Sequence, residues 1–359
     1  MDKSHPNRKG ISEIARLANV SIGTVDRALH GRKEISEKTR RRILDIAQSI
    51  GYTPNLAART LSVGKATVRI GVCIPRETHL FYDQLRDGIV DEVRRYEALG
   101  VEMLYRPVDR LGVKENERLA EMIETDVRAL IITPGNPSRV TPLINQATEK
   151  GIKVACVASD APDSARSTVV CVDPEVGGKL AAELLGRFLA PGSQAAIVTG
   201  MLQTEDHRRK TEGFCEAFSY YCDGGQVVEV VEGHLNDEET FQKCLNLFEK
   251  YPSLAGLYVN VSICLPVCYA LRARGLAGKV RVVVTDLFQE MVPLFEEETI
   301  HASVYQRPYV QGQMAVRILI EHFLHDRKIP RTHYLTPAIV MRSNVHLFRE
   351  TRQIESAKE

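Results

Sequence analysis

The chain has 359 residues, enough for two or three folding units, and 44% of them are hydrophobic, which excludes wholesale disorder. The net charge of +1 is unevenly placed: residues 1–65 hold 13 Lys and Arg against 6 Asp and Glu, a net +7, and the remainder carries a net −6. A basic head on an acidic body is the asymmetry of a chain in which only the head meets phosphate, although a solvated basic tail has the same charge.

The first element in chain order is a helix over Ile11–Ala18, with apolar residues at 11, 14, 15, 17 and 18 on one face, Ser12 as its cap and Glu13 in its first turn. Asn19 tolerates a left-handed backbone and can turn the chain. Ser21 then caps a second helix, Ile22 to Leu29, whose inner face is Val25, Ala28 and Leu29. Two short helices around a three-residue turn make a helix-turn-helix, in which the second helix enters the DNA major groove N-terminus first. Ser21, Ile22, Gly23 and Thr24 stand at that end, with Arg27 one turn on, able to reach a guanine edge or a phosphate. A third helix runs from Ser36 to Ile50, with Arg40, Arg41 and Arg42 in its first half. A bundle that binds protein instead of DNA is the alternative; the tight turn, the cap and the positive charge favour DNA. Tyr52-Thr53-Pro54-Asn55 leads into a short helical piece, Leu56–Leu61, and a Gly-containing linker, Ser62–Lys65.

From Val68 the pattern becomes short apolar runs alternating with amphipathic helices. Strands are expected at Val68–Ile74, Val101–Arg106, Ala129–Thr133, Lys153–Ala158, Thr168–Val172, Ala195–Thr199, Gln226–Val231, Gly256–Val259, Val280–Thr285 and Ala302–Tyr305. Repeated β-α-β reads as parallel sheets covered by helices, with too many strands for one sheet, so two subdomains are expected. Ligands of such sheets bind beyond the carboxyl ends of the strands. Phe81, Tyr82, Asp109, Ser159, Asp160, the block Thr199–Arg209, Asn260, Asp286 and Gln306 follow those ends. Aromatic faces suit a sugar ring, and carboxylates and amides hold hydroxyls. Each residue also has a duller reading: Phe81 as core, Asp109 as solvated, Asp286 as a helix cap.

The series Ser21-Ile22-Gly23-Thr24-Val25-Asp26-Arg27-Ala28-Leu29, Gly51-Tyr52-Thr53-Pro54-Asn55 and Ala58-Arg59-Thr60-Leu61 resembles the headpiece of the lac-repressor/gal-repressor family. The body is similar to that family's effector domain, of the periplasmic sugar-binding-protein fold, at Gln84–Glu92, Cys171–Leu185, Gly213-Phe214, Asp286 and Gln306–Gly312. The resemblance implies an α/β architecture: an all-α helix-turn-helix headpiece with a hinge helix over residues 1–65, a two-lobed effector-binding and dimerisation domain over 66–350, and a polar tail over 351–359. It implies that Leu61 wedges into the minor groove, with Ala58 packing close to the groove, and that Asn55 is among the DNA-binding residues. It also places Phe81, Asp160, Asp286 and Gln306 at ligand-contact positions. Lys210 stands where the family often has Arg, behind Asp206-His207, and keeps the charge without the planar fork. Asp26 departs from the family's usual Ser.

The expectation is therefore an effector-responsive transcription regulator, repressing in the family's usual sense of control, whose partners are double-stranded operator DNA, a small molecule of the sugar class and a second copy of the chain. Dimer and tetramer stay open. A cytosolic sugar-binding protein or an enzyme on the same scaffold are the alternatives; the headpiece argues against the first, and the lack of GxSxG, HExxH, P-loop and dinucleotide motifs against the second. No cofactor, metal or catalytic residue is expected. The 8 cysteines have no CxxC spacing and read as buried, reduced thiols. The N-terminus lacks an apolar signal region and no run reaches the roughly 18 apolar residues of a membrane span, so a cytoplasmic location is expected.

Overall fold

The computed structural model describes residues 11–29, 35–50, 67–76 and 79–348. Asn55, Ala58 and Leu61, the expected hinge helix, the linker and the tail 351–359 lie outside the described residues.

The head contains α1 (Ile11–Ala18), α2 (Ile22–Leu29) and α3 (Glu37–Ser49). Ile14, Ala15, Ala18, Val25, Ala28, Ile43 and Ala47 form their common core. Asn19 turns the chain with a left-handed φ of 48°. The Ser21 Oγ caps α2, accepting from the Thr24 amide at 3.2 Å and sharing a hydrogen with Thr24 Oγ1 at 2.9 Å. Ser36 caps α3 through Thr39 in the same way. Ser12 is not a cap: α1 already begins at Ile11, which puts Ser12 inside the helix. Glu13 does sit in the first turn, where it pairs with Arg16 at 2.8 Å.

The body has two lobes of one design. β1 (Val68–Cys73), β2 (Val101–Tyr105), β3 (Ala129–Ile132), β4 (Lys153–Val157) and β5 (Thr168–Cys171) form a parallel sheet in the order β2-β1-β3-β4-β5. β6 (Gln194–Thr199), β7 (Gln226–Glu232), β8 (Leu254–Val259), β9 (Arg281–Thr285) and β10 (Ala302–Tyr305) repeat it as β7-β6-β8-β9-β10. Each strand matches an expected one to within a residue or two. Two were not foreseen: β11 (Thr332–Tyr334) pairs with β5, and β12 (Ala338–Val340) runs antiparallel on β10. The apolar runs are continuous because both faces are covered. In β3, Ala129 and Ile131 face one apolar layer while Leu130 and Ile132 face another.

The helices are α4 (His79–Arg94), α5 (Glu115–Ile123), α6 (Pro137–Glu149), α7 (Pro174–Phe188), α8 (Glu205–Tyr221), α9 (Asp237–Lys250), α10 (Leu265–Ala273), α11 (Val292–Glu296) and α12 (Pro308–His325). The lobes exchange two of them. α7 leaves the first sheet and packs on the second, against α8, β8, β9 and β10; α12 leaves the second and packs on the first, against α4, β3, β4 and β5. Both exchanged helices cross their neighbour at backbone contact. A Cβ on Gly88 would lie 2.0 Å from the Tyr309 carbonyl oxygen, and one on Gly178 would lie 2.1 Å from that of Lys210. Only glycine permits such an approach. The chain passes between lobes after β5, after β10 and between β11 and β12, which leaves the carboxyl ends of both sheets facing a common cleft.

Candidate functional site

Two surfaces carry chemistry. The first is the start of α2. Ser21, Ile22 and Gly23 are exposed and Thr24 and Arg27 are half-buried. Ile22 is 58% exposed, an apolar side chain with no core to enter. Ser21 and Thr24 are locked together by the cap, and an Arg27 guanidinium nitrogen lies 3.5 Å from Thr24 Oγ1. The arrangement is a rigid helix end offering hydroxyls, a methyl-rich side chain and a cation, beside a glycine that lets the backbone come close. Those groups suit base edges and the thymine methyl. Lys38, Arg41 and Arg42 are exposed on α3.

The second is the cleft between the lobes. It is lined by residues that follow strand after strand of both sheets. Phe81 and Tyr82 come from the first turn of α4, with their rings edge to face at 5.1 Å. Ala158 and Ser159 follow β4. Thr204, Asp206, His207 and Lys210 come from the loop and first turns after β6; Val261 and Ser262 follow β8, Asp286 follows β9 and Gln306 follows β10. In each sheet the first and third strands diverge to opposite sides, and this is the switch point where ligands of open α/β sheets sit.

The backbone is bent to make this wall. Ala158 and Asp286 each follow the fourth strand of their lobe, and both have left-handed backbone, with φ of 61° and 70°. For a non-glycine residue that costs roughly 1–2 kcal/mol. The Asp286 carboxylate accepts from the Gln306 amide at 3.2 Å and from Gln306 Nε2 at 3.0 Å. Burial pushes its pKa up to about 6, against the pull of Lys210 and Gln306. Asp206 and Lys210, one helical turn apart, form an ion pair at 2.7 Å. Burial raises the Asp206 pKa despite that partner. His207 is driven down to about 3 by burial and by Lys210, so its ring is neutral; its Nδ1 lies 3.1 Å from the Met201 amide nitrogen. Asp206 Oδ1 and Ser159 Oγ are buried without a hydrogen-bond partner among the described residues.

The lobes are held together on both sides of the cavity. Thr204 Oγ1 donates to the Gly135 carbonyl at 2.8 Å, and Asn136 Nδ2 donates to Gln203 Oε1 at 3.2 Å. The Glu115 carboxylate shapes that lip, accepting from the Gly135 amide at 3.0 Å and the Asn136 amide at 3.3 Å. Opposite, the Tyr305 hydroxyl donates to Gln84 Oε1 at 2.9 Å.

Of the residues singled out in the sequence, Phe81, Tyr82, His207, Lys210, Asp286 and Gln306 meet on the cavity wall. Asp160 and Asn260 do not. Asp160 turns to a bidentate ion pair with Arg166. Asn260 is fully buried behind the wall, its Nδ2 donating to the His207 carbonyl at 3.1 Å and to Thr211 Oγ1 at 2.8 Å, so that it ties β8 to α8. Asp109 is exposed and paired with Arg76. The sequence places Ser159 and the block holding Thr204 and Asp206 at strand ends without marking them as effector contacts, and it does not mark Ser262. Asp206 looks like an ordinary acid in a helix's first turn; its spacing of four from Lys210 was the available signal. No group of three or more His, Cys, Asp or Glu placed to hold a metal ion occurs among the described residues.

Comparison with known proteins agrees with this layout. Residues 70–325 match the family of the periplasmic binding protein domain, and residues 10–55 match the bacterial regulatory proteins of the lacI family. Catabolite control protein A of Priestia megaterium is 26% identical over 320 residues, covering 87% of this chain and 92% of that protein. The HTH-type transcriptional regulator DegA of Bacillus subtilis (strain 168) is 25% identical over 270 residues, covering 74% of this chain and 77% of its own. Among solved structures, an ABC transporter solute-binding protein from Burkholderia graminis C4D1M in complex with D-arabinose superposes with a TM-score of 0.72 at 22% identity, over 78% of this chain and 97% of its own; at that identity the likeness is one of fold.

Proposed function

The chain belongs to the lacI family of DNA-binding transcription regulators and carries the periplasmic binding protein domain, and from that premise we propose that it binds a pseudopalindromic operator as a dimer under the control of a small polyhydroxylated effector. The observation that carries the DNA half is the start of α2, where Ser21, Ile22 and Gly23 are exposed at the leading end of a helix-turn-helix. With Thr24 and Arg27 they read base edges, while by analogy with the family Leu61 enters the minor groove with Ala58 packed close to it, and Asn55 also contacts DNA. Two-fold symmetry of the dimer sets the symmetry of the operator.

The effector half rests on the cavity at the switch points of both sheets. Phe81 and Tyr82 pack on a ring face; Asp286, Gln306, Lys210 and His207 hold its polar substituents. The D-arabinose of the Burkholderia protein makes a sugar or sugar derivative the natural class. Binding between the lobes favours the closed arrangement and thereby shifts the spacing of the two headpieces. The reading makes the chain a cytoplasmic, non-catalytic regulator, and repression the default sign of control. No helix among the described residues is long and apolar enough to cross a membrane.

Selection of the full chain against a random-sequence duplex pool tests this. The expected result is an enriched pseudopalindrome whose binding weakens steeply with salt, as counterion release requires. Failure to enrich any sequence would sink the reading.

A further inference from the structure

We infer that the effector is a polyol that carries a protonated amine and no phosphate or carboxylate. The inference rests on the reading of the interlobe cavity as the effector site and concerns what that site selects.

The cavity wall holds two carboxylates, Asp206 and Asp286, and one ammonium, Lys210, with His207 neutral. It is therefore net negative. The one cation is already engaged, because Lys210 Nζ lies 2.7 Å from Asp206 Oδ2. A phosphate or carboxylate on the ligand would find no unengaged cation on the wall and would add further uncompensated negative charge beside buried carboxylates. Charges in such surroundings interact far more strongly than in solvent.

What the wall lacks is a donor. Asp206 is 7% exposed, and its Oδ1 has no hydrogen-bond partner among the described residues. Ser159 Oγ, across the cavity on the other lobe, is in the same position. Asp286 receives its two hydrogen bonds from Gln306 alone, and its pKa of about 6 records a buried negative charge short of compensation. An ammonium brings three donors and one positive charge, so it can satisfy Asp206 Oδ1 and return the site to neutrality. A hydroxyl supplies a donor but leaves the net charge in place. The opposite wall, Phe81 with Tyr82, is aromatic and gives a cation on the ring a favourable face.

The test is calorimetric titration and thermal shift of the full chain at pH 7.5 with matched triplets: glucose, glucosamine and glucose 6-phosphate, and the corresponding galactose and mannose series. In the triplet of matching stereochemistry the amino sugar should bind at least about tenfold more tightly than the neutral sugar, and the phosphate should not bind. Asp206→Asn should cut the amine-to-neutral preference to below about threefold, read as a ratio within one variant so that a general loss of affinity cancels; circular dichroism checks that the variant folds. If it does not fold, Ser159→Ala supplies the second variant, expected to weaken the amino sugar and its neutral parent together. A phosphate that binds more tightly than its parent sugar, or a neutral sugar that binds as tightly as its amine, overturns the inference while leaving the cavity as the effector site. No thermal shift with any member of the panel removes both.

Discussion

The two lobes share a scaffold and divide the chemistry. Each has five parallel strands in the same order, a glycine-tight crossing of an exchanged helix, and a left-handed residue directly after its fourth strand. At matching places the side chains differ. The first turn of α4 offers Phe81 and Tyr82, and that of α8 offers Asp206 and His207; after the fourth strand one lobe has Ala158 and the other Asp286. One lobe is an apolar plate and the other an ionised one. On the proposed reading, a ligand with one apolar face and one polar rim needs both plates, so its binding would favour closure. Such a preference would let a small molecule bias the arrangement of the body, and through it, as proposed, the head.

The shared scaffold is the first thing to break. Gly88→Ala and Gly178→Ala each place a Cβ about 2 Å from a carbonyl oxygen across a helix crossing. Each is expected to lower stability by about 3 kcal/mol or more in urea denaturation, because backbone rather than a flexible side chain must move. Near-equal losses would support equivalent roles in the two lobes; a loss in only one would break the equivalence.

The ionised plate is sharpened by Asp286→Asn. Asn keeps the tolerance of left-handed backbone and an acceptor for Gln306. The Asp286 pKa is raised from 3.8 to about 6 in the folded chain, so its charge costs stability above pH 6, and that cost disappears as the pH falls toward 4. At pH 7.5 the Asn variant should be more stable, by on the order of 2 kcal/mol, and effector affinity should fall at least tenfold. Calorimetry of wild type across pH should show effector affinity dropping about tenfold from pH 7 to pH 5 as Asp286 protonates. Lys210, Asp206 and Gln306 act on that group, and Asp206, its own pKa raised, shifts in the same sense. His207, at about 3, stays neutral throughout. A flat profile would contradict the assignment.

Asn260→Ala separates wall from support. Loss of the hydrogen bonds to His207 and Thr211 should cost about 2 kcal/mol of stability with a smaller effect on effector affinity, since Asn260 is outside the cavity. The smallest expected effect is in the head. Ser21→Ala removes the cap of α2 at a cost of about 1 kcal/mol, visible as a lower melting temperature and weaker operator binding.

The repeated β-α-β pattern was legible because parallel strands buried on both faces read as apolar runs. The head was legible because Asn19, Ser21 and Ser36 are residue types with specific backbone uses. The cavity was partly legible. The rule that ligands sit beyond strand ends finds Phe81, Asp286 and Gln306, but it does not say which way a residue at that end faces. Asn260 turns back onto α8, whereas Val261 and Ser262 face the cavity. Asp160 is taken by Arg166, a partner that a loop conformation alone decides. β11 and β12 are short three-residue pieces returning from the end of the chain, too brief to show a period.

If one chain couples the cleft to DNA, effector and operator must be thermodynamically linked. Effector affinity should be measured by calorimetry on the full chain, free and saturated with the selected operator. The operator should change effector affinity by the same factor by which the effector changes operator affinity, at least about fivefold in either direction. Equal effector affinity with and without operator would contradict it.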